Sequence, residues 1–587
     1  MINFFLKTIS ISVLVILIYG CKKDNEEVVI EPYIYEEKYY GEGFSTLNND
    51  EWNKNTVNKV LNTFTYGIVA KQSQIQTWAD MNATDAIKEI ITMEGFNDKL
   101  NKYNTSFLDK NETRIEILSE IFYNRYNGGN FRLECRLSNG EIITPLLLDN
   151  TNFNPTRLKI GLWETNYHQV INAKIDALHC LNIHHYFDDI VEGINDNVDY
   201  HKILSKSAHS TPIMFMYNQF DNKYINGTFL LNDDFAREYN QLFFGILGVD
   251  NLSYYENTTI ENTAKILTGI DKARRDYTTL DGLETVNAPD YYVLENPLEH
   301  YSGTLEILEN NIQQSSVEEG LNKIGEIAIR DKEGSDNLPI IIIEGLSDDN
   351  LDYETKEKIR NEWKNNLSHP NFLQFIQKYA ISHSFHNENR LKYLSSLDRV
   401  MKTYNLLNFE GKKPINIHKI NYELLKEDYK IFFPAKGVFG NLTGEDILNN
   451  SNVFSVFYNR AANIEYSNTY TDMDFSKMID DNVEKNIKSI SEFVWNRFIG
   501  DNLKNFGKME RLHIYSILAH GVDYNEYKNT NIIYTEEYIN NDQNILNDIE
   551  DMSKLTINLI DTTNKTRIKY ITHFVLGLPF MWFEEGK

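Results

Sequence analysis

The residues best equipped for chemistry are Arg237, Glu238 and His300. An arginine can clamp an anionic group, a carboxylate can give or take a proton, and a histidine that titrates near neutrality can assist either. Arg237 and Glu238 sit in the run Asn232-Asp233-Asp234-Phe235-Ala236-Arg237-Glu238, where Phe235, Tyr239, Leu242, Phe243 and Ile246 form one helical stripe. Asn232 suits the N-cap, and Asp233 and Asp234 suit the positive end of the helix dipole. A helix needs neither Arg237 nor Glu238. Either Arg237 pairs with Asp233 four residues back or with a buried carboxylate elsewhere, or the two residues face a ligand. Asn232 and Thr268 are the matching candidates for binding.

Metal chemistry is the other possibility to weigh, because His179, Cys180, His184, His185, Asp188 and Asp189 crowd one stretch. Their spacing fits no zinc pattern, and on a helix His184 and Asp188 share a face that His185 only flanks. A solvated or capped face is expected there, and no metal is assigned. Asp348, Asn350 and Asp352 resemble the start of a calcium loop, but Tyr353 stands at the sixth position and Ile359 at the twelfth, so the EF-hand form fails and only a looser site is left. GxSxG, HExxH, GxxxxGK and GxGxxG are all missing. No cofactor is expected, and any catalytic set has to be assembled from residues far apart in the sequence.

These residues need a scaffold, and the periodicity makes it mainly α. Val57, Val60, Leu61 and Phe64 mark one face of a helix that Gly67 can close. Thr211-Pro212 reads as a helix start, and Thr258 with Glu261 as a capping box ahead of the stripe Ile260, Ala264 and Leu267, closed by Gly269. Phe131, Leu133, Cys135 and Leu137 alternate before Ser138-Asn139-Gly140, so 130–147 reads as a β-hairpin. The strongest internal loop signal is 331–339 and the next Gly411 to Pro414. The expectation is one large multi-helix domain over 46–587 with a small β-hairpin; a boundary between two lobes, if the domain has them, falls near 331–339.

Several motifs resemble, in order, those of the bacterial domain-of-unknown-function 1800 family. Asn232 to Glu238 followed by Leu242-Phe243 is similar to that family's central signature; Leu61 to Gly67, Pro212 to Tyr217 and Lys265 to Gly269 are similar to other segments of it, and His300, Gly303, Ser382 to Phe385 and Pro579 to weaker ones. Where the family often shows Trp-His-Asn-His-Phe, this protein has Trp163-Glu164-Thr165-Asn166-Tyr167, with only His168 nearby, and Leu305 replaces a lysine. A metal or anion held at those positions elsewhere would here be lost or its site rebuilt. The resemblance implies a fold, a secreted setting and a sulfatase-like partner protein, but no activity.

The amino terminus assigns the compartment. Lys7 precedes the apolar run Ile9 to Ile18, which is too short to span a membrane, and Ile18-Tyr19-Gly20-Cys21 reads as a lipobox. Residues 1–20 are then a signal peptide, Cys21 the lipid attachment site and 21–45 an acidic tether; an uncleaved signal anchor is the alternative. The cluster Lys22 to Glu27 points to the cell surface of an outer membrane, with a periplasm-facing tether as the other option. A net charge of -27 argues against nucleic acid and against anionic lipid, so the acyl group is the expected membrane contact. Two cysteines besides Cys21, Cys135 and Cys180, form no disulfide framework; they either pair or stay buried thiols. With 13% aromatic residues and no catalytic signature, the sequence reads first as a binding or scaffolding lipoprotein for a partner protein or glycan. The alternative is a hydrolase-like enzyme acting on an extracellular polymer through Arg237, Glu238 and His300.

Overall fold

The stripe Val57, Val60, Leu61 and Phe64 is the buried face of the Lys54–Phe64 helix. Asn53 caps it by accepting from the N–H groups of Asn55 and Thr56, and Gly67, at φ +64°, sends its N–H back to the Leu61 carbonyl. The structure is a computed structural model that describes residues 35, 37–67, 72–93, 154–172, 180–275, 279–280, 283–284, 290–407, 431–432, 436–448 and 473–585. Helices dominate, and the strands form small two-stranded antiparallel ribbons. The leader, Cys21, the 130–147 segment with Cys135, His179 and Gly411 to Pro414 lie outside the described residues. Cys180 opens the Cys180–Asn195 helix, but its side group and that of His184 also lie outside them. No helix among the described residues is long and apolar enough to cross a membrane.

The segment 331–339 is not a loop. Asp331 caps the Lys332–Leu346 helix through the N–H groups of Glu333 and Gly334, and Ser335, Leu338 and Pro339 are buried in it. The loop-like composition comes from tight packing at a helix–helix corner. A Cβ on Gly334 would overlap the Ala328 carbonyl oxygen, so only glycine lets this helix start so close to the one before it. Nor does a helix begin at Thr258. Asn251 caps a helix from Leu252 that runs on to Ile266, with Thr258 in its middle.

Among the described residues, buried apolar side groups gather in two clusters, one from Leu47 to Phe432 and one from Leu406 to Trp582. A ribbon links them: Leu391–Tyr393 pairs antiparallel with Phe583–Glu585, so Lys392 faces Glu584. Glu584 is buried and accepts from Thr63 Oγ1 at 2.7 Å and Lys402 Nζ at 3.1 Å. Burial alone would raise its pKa, but the charges of Lys402, Arg390 and Lys159 outweigh burial and hold the carboxyl below the usual range.

Two histidines carry a pH dependence of stability. Burial pushes His201 down to about 4 and His386 down to about 3. His386 Nε2 meets the Ala380 carbonyl at 3.1 Å, while its Nδ1 and that of His201 are buried with no partner among the described residues. Above pH 7 both rings are neutral in the folded and unfolded states, and neither affects stability. Below the unfolded value of about 6.5, only the unfolded state takes up the protons, which should cost about 2 kcal/mol per histidine by pH 5. Urea denaturation at pH 7.5 and 5.0 should show that loss for the wild type and a flatter profile for His201→Asn with His386→Gln. An unchanged slope in the double variant would mean that other groups set the pH response.

Candidate functional site

The residues nominated from sequence fall into two separate networks. Arg237 bridges Glu256, at 2.5 Å, and Asp233, at 3.3 Å; the second contact is the expected pair at four residues' spacing. Glu238 is half-buried, and burial and then Asp234 raise its pKa. Asn232, Thr268 and His300 meet elsewhere, around the buried Asn222. Asn222 Oδ1 accepts from the Asn232 N–H, and its carbonyl from the Gly269 N–H. Asn232 Oδ1 in turn accepts from Asp234 N just ahead of the helix, whose N-cap is Asp233 with no side-chain cap bond, one residue later than the sequence suggested. His300 Nδ1 lies 2.8 Å from the Thr268 carbonyl, and Thr268 Oγ1 accepts from Tyr301 N. Gly269, at φ +84°, is the contact point: a Cβ there would meet the Asn296 carbonyl oxygen at 2.8 Å and His300 N at 2.9 Å. These bonds position backbone, and none of the five residues lines the clefts described below.

Asp348 and Asp352 are also engaged. Asp348 Oδ1 accepts from the N–H groups of Asn350 and Leu391, and Asp352 caps the Tyr353–Lys364 helix. Among the described residues, no group of three metal-binding residues converges.

The segment 163–168 carries something its residue types did not announce. Glu164–His168 winds as a π-helix, as do Tyr239–Phe243 and Tyr255–Ile260. Such widened turns are rare, and they cluster where a fold bends to position functional groups. Each contains an asparagine, Asn166, Asn240 or Asn257, whose amide group donates to the carbonyl four residues back: Leu162, Ala236 and Ser253. In an α-helix that carbonyl would take the asparagine's own N–H, so the amide serves an acceptor whose usual donor has shifted.

The first π-turn sets a buried polar network. Glu164, His168, Gln169 and Tyr200 are all buried. Glu164 accepts from Tyr200 Oη at 2.6 Å and Gln169 Nε2 at 2.7 Å, and its Oε2 lies 2.9 Å from His168 Nδ1. Two acceptor atoms that close share one proton, held by either the imidazole or the carboxyl. His168 Nε2 reaches the carbonyl of Phe243, the last residue of the second π-turn, at 3.2 Å. Gln169 extends the network, accepting from Ser207 Oγ with its amide oxygen and from Tyr186 Oη with its backbone carbonyl at 2.6 Å. Burial, then the nearby Glu164 charge, raises the Tyr186 and Tyr200 hydroxyls well above the ordinary tyrosine value, so both stay protonated donors.

Tyr186 leads out to an open cleft of about 410 Å³, within the range of small-ligand sites. One wall is the Cys180–Asn195 helix, with Asn182, His185, Tyr186 and Asp189; a second is Lys206, His209, Ser210 and Thr211; the third is the Asp290–Glu295 strand, with Tyr291 and Tyr292. The Tyr291 carbonyl accepts from Asn182 Nδ2 at 2.7 Å and Thr211 Oγ1 at 3.0 Å, which ties strand to helices, and the Tyr291 ring packs edge-on to Phe215. Asp189 pairs with Lys206 at 2.8 Å, His209 Nε2 lies 2.9 Å from Glu295 Oε1, and Glu318 adds another carboxylate to the lining. Burial would raise the Glu295 pKa, but His209 and the N–H groups of Glu318 and Val317 hold it below the usual range. Sequence reading singled out His185 and Asp189 only as metal candidates and passed over the tyrosines. The available signal was the β-forming run Asp290-Tyr291-Tyr292-Val293-Leu294-Glu295 between Pro289 and Pro297.

Fold and site together define a mainly α protein with an open, tyrosine-walled cleft resting on a buried polar network. Residues 193–477, just under half of the 587 residues, match the family described as "Protein of unknown function (DUF1800)". The match takes in Asn232, Arg237, Glu238, Thr268 and His300 together with the strand side of the cleft, while Glu164–Gln169 precede it. No curated protein and no solved structure matches the sequence.

Proposed function

We propose that the protein is a lipid-anchored extracytoplasmic binding protein, tethered through Cys21, whose tyrosine-walled cleft takes a neutral glycan. The cleft carries the reading. Tyr292, on the exposed side of its strand, supplies the aromatic surface for the C–H face of a sugar, and Asn182, His185, Ser210 and Thr211 supply polar groups for hydroxyls. Lys206 in the cleft is already paired with Asp189, Glu318 adds a further carboxylate to the lining, and a protein of net charge -27 repels polyanions. The lipobox-like Ile18-Tyr19-Gly20-Cys21 supports the anchor, and an outer-membrane, surface-facing position follows from the acidic tether. Calorimetric titration of the full-length protein with neutral oligosaccharides and with sulfated or uronic acid counterparts tests it. Binding of a neutral member, weakened at least tenfold by added sulfate groups, is expected. Tighter binding of the anionic member would overturn it.

A second reading, hydrolysis of that glycan, rests on His209 in the cleft lining, whose Nε2 lies 2.9 Å from Glu295 Oε1 behind it; an imidazole beside a carboxylate is the pair a general base requires. It predicts product release that His209→Gln abolishes without weakening binding to the same extent. Binding with no product over days would leave the binding reading alone. Arg237 and His300 play no part in either version, being committed to Glu256 and to the Thr268 carbonyl. A sulfatase-like partner would act on the same polymer after the cleft has captured it.

A further inference from the structure

A second cleft, of about 240 Å³, has a different lining. Asn55, Asn58 and Asn62 follow one another along a face of the Lys54–Phe64 helix, and Asn482 and Asn496 join them in the lining. Leu61, Ile75, Val483 and Phe493 are apolar members of the same lining, and Lys54, Arg497 and Asp480 supply two positive charges and one negative. Asn55 is bonded to Asn502 at 3.1 Å. Asn496 Oδ1 is buried without a partner among the described residues. A buried acceptor in that state costs stability unless a ligand or water serves it.

We infer that this cleft is a binding site for an extended polypeptide segment of a partner protein. A primary amide carries a donor and an acceptor side by side, the complement of a backbone carbonyl and N–H. Asn58 and Asn62 are one helical step apart, about 6 Å at 1.5 Å per residue. An extended polypeptide repeats its outward groups every two residues, about 6.6 Å. The two amides therefore meet alternate residues of such a segment, and the Leu61, Val483 and Phe493 surface receives small apolar groups from between them. Among the described residues the lining contains no tyrosine or tryptophan, the stacking platform that marks the first cleft for sugars. The inference does not depend on the glycan reading, because the two clefts share no residue.

The test uses the full-length protein and an array of acetylated, amidated heptapeptides, with the best-retained member then titrated in solution. Replacing a single amide of that peptide by an ester removes one N–H donor and should weaken binding about tenfold, the value of one or two hydrogen bonds. Asn58→Leu and the more exposed Asn482→Ala should each weaken it similarly while melting within a few degrees of the wild type. Retention of no heptapeptide overturns the inference, and so does an affinity indifferent to the ester and to both variants.

Discussion

Glu584→Ala should lower the unfolding free energy by about 3–5 kcal/mol, the usual cost of removing one partner of a buried ion pair. Lys402 is almost wholly buried, and without Glu584 its ammonium would have lost the carboxylate it donates to, while Thr63 Oγ1 would lose its acceptor. The strand that carries Glu584 pairs with Leu391–Tyr393, and Arg399 lies over the Trp582 ring just before it, so loosening the ribbon exposes both apolar clusters. Chemical denaturation monitored by tryptophan fluorescence measures the effect. The double variant Lys402→Met with Glu584→Leu should recover most of the loss, because an apolar pair of similar size needs no desolvation of charge. If Glu584→Ala unfolds at the wild-type midpoint, the ribbon does not hold the two clusters together.

Glu164→Ala is expected to be comparably damaging, at about 3–5 kcal/mol, because three buried groups lose their acceptor at once: His168 Nδ1, Gln169 Nε2 and Tyr200 Oη. Glu164→Gln should cost less than half as much. Its oxygen still serves Tyr200 or Gln169, and its amide can donate to a neutral His168 Nδ1. The two variants therefore separate loss of hydrogen bonding from loss of charge. Glu164→Ala should also weaken ligand binding in the cleft, since Gln169 anchors Tyr186 of the cleft wall and Ser207, next in sequence to the lining residue Lys206. A variant as stable as the wild type would show that the network is dispensable.

Patterns that repeat with a structural period were legible in the sequence. The buried face of Lys54–Phe64 and the Arg237–Asp233 pair follow from spacing along one helix, so a local reading reaches them; the stripe from Phe235 is buried as expected but runs into the π-turn at Tyr239–Phe243, and Ile246 lies beyond the helix end. The start at Lys332 was missed because Asp, Gly and Pro carry the same local signal in a loop as in a helix corner that must pack closely; only the Gly334–Ala328 contact tells them apart. The π-turns were missed for a related reason. Glu164, Asn166 and His168 look like polar residues facing water until the turn widens by one residue and directs them into the core. The cleft was the least legible part. Its walls come from residues 182–212 and 291–318, and no short-range spacing records that Tyr291 reaches Asn182 and Thr211.

The most direct test of glycan binding in the cleft is titration of the wild type and of Tyr292→Ala with the same neutral oligosaccharide. Tyr292 is on the exposed side of its strand, so its removal should leave the fold intact. Binding by the wild type and a loss of at least tenfold in Tyr292→Ala, with melting unchanged, is the result the cleft geometry predicts. Equal affinity in the two proteins would contradict it and move the glycan, if one binds, to another surface.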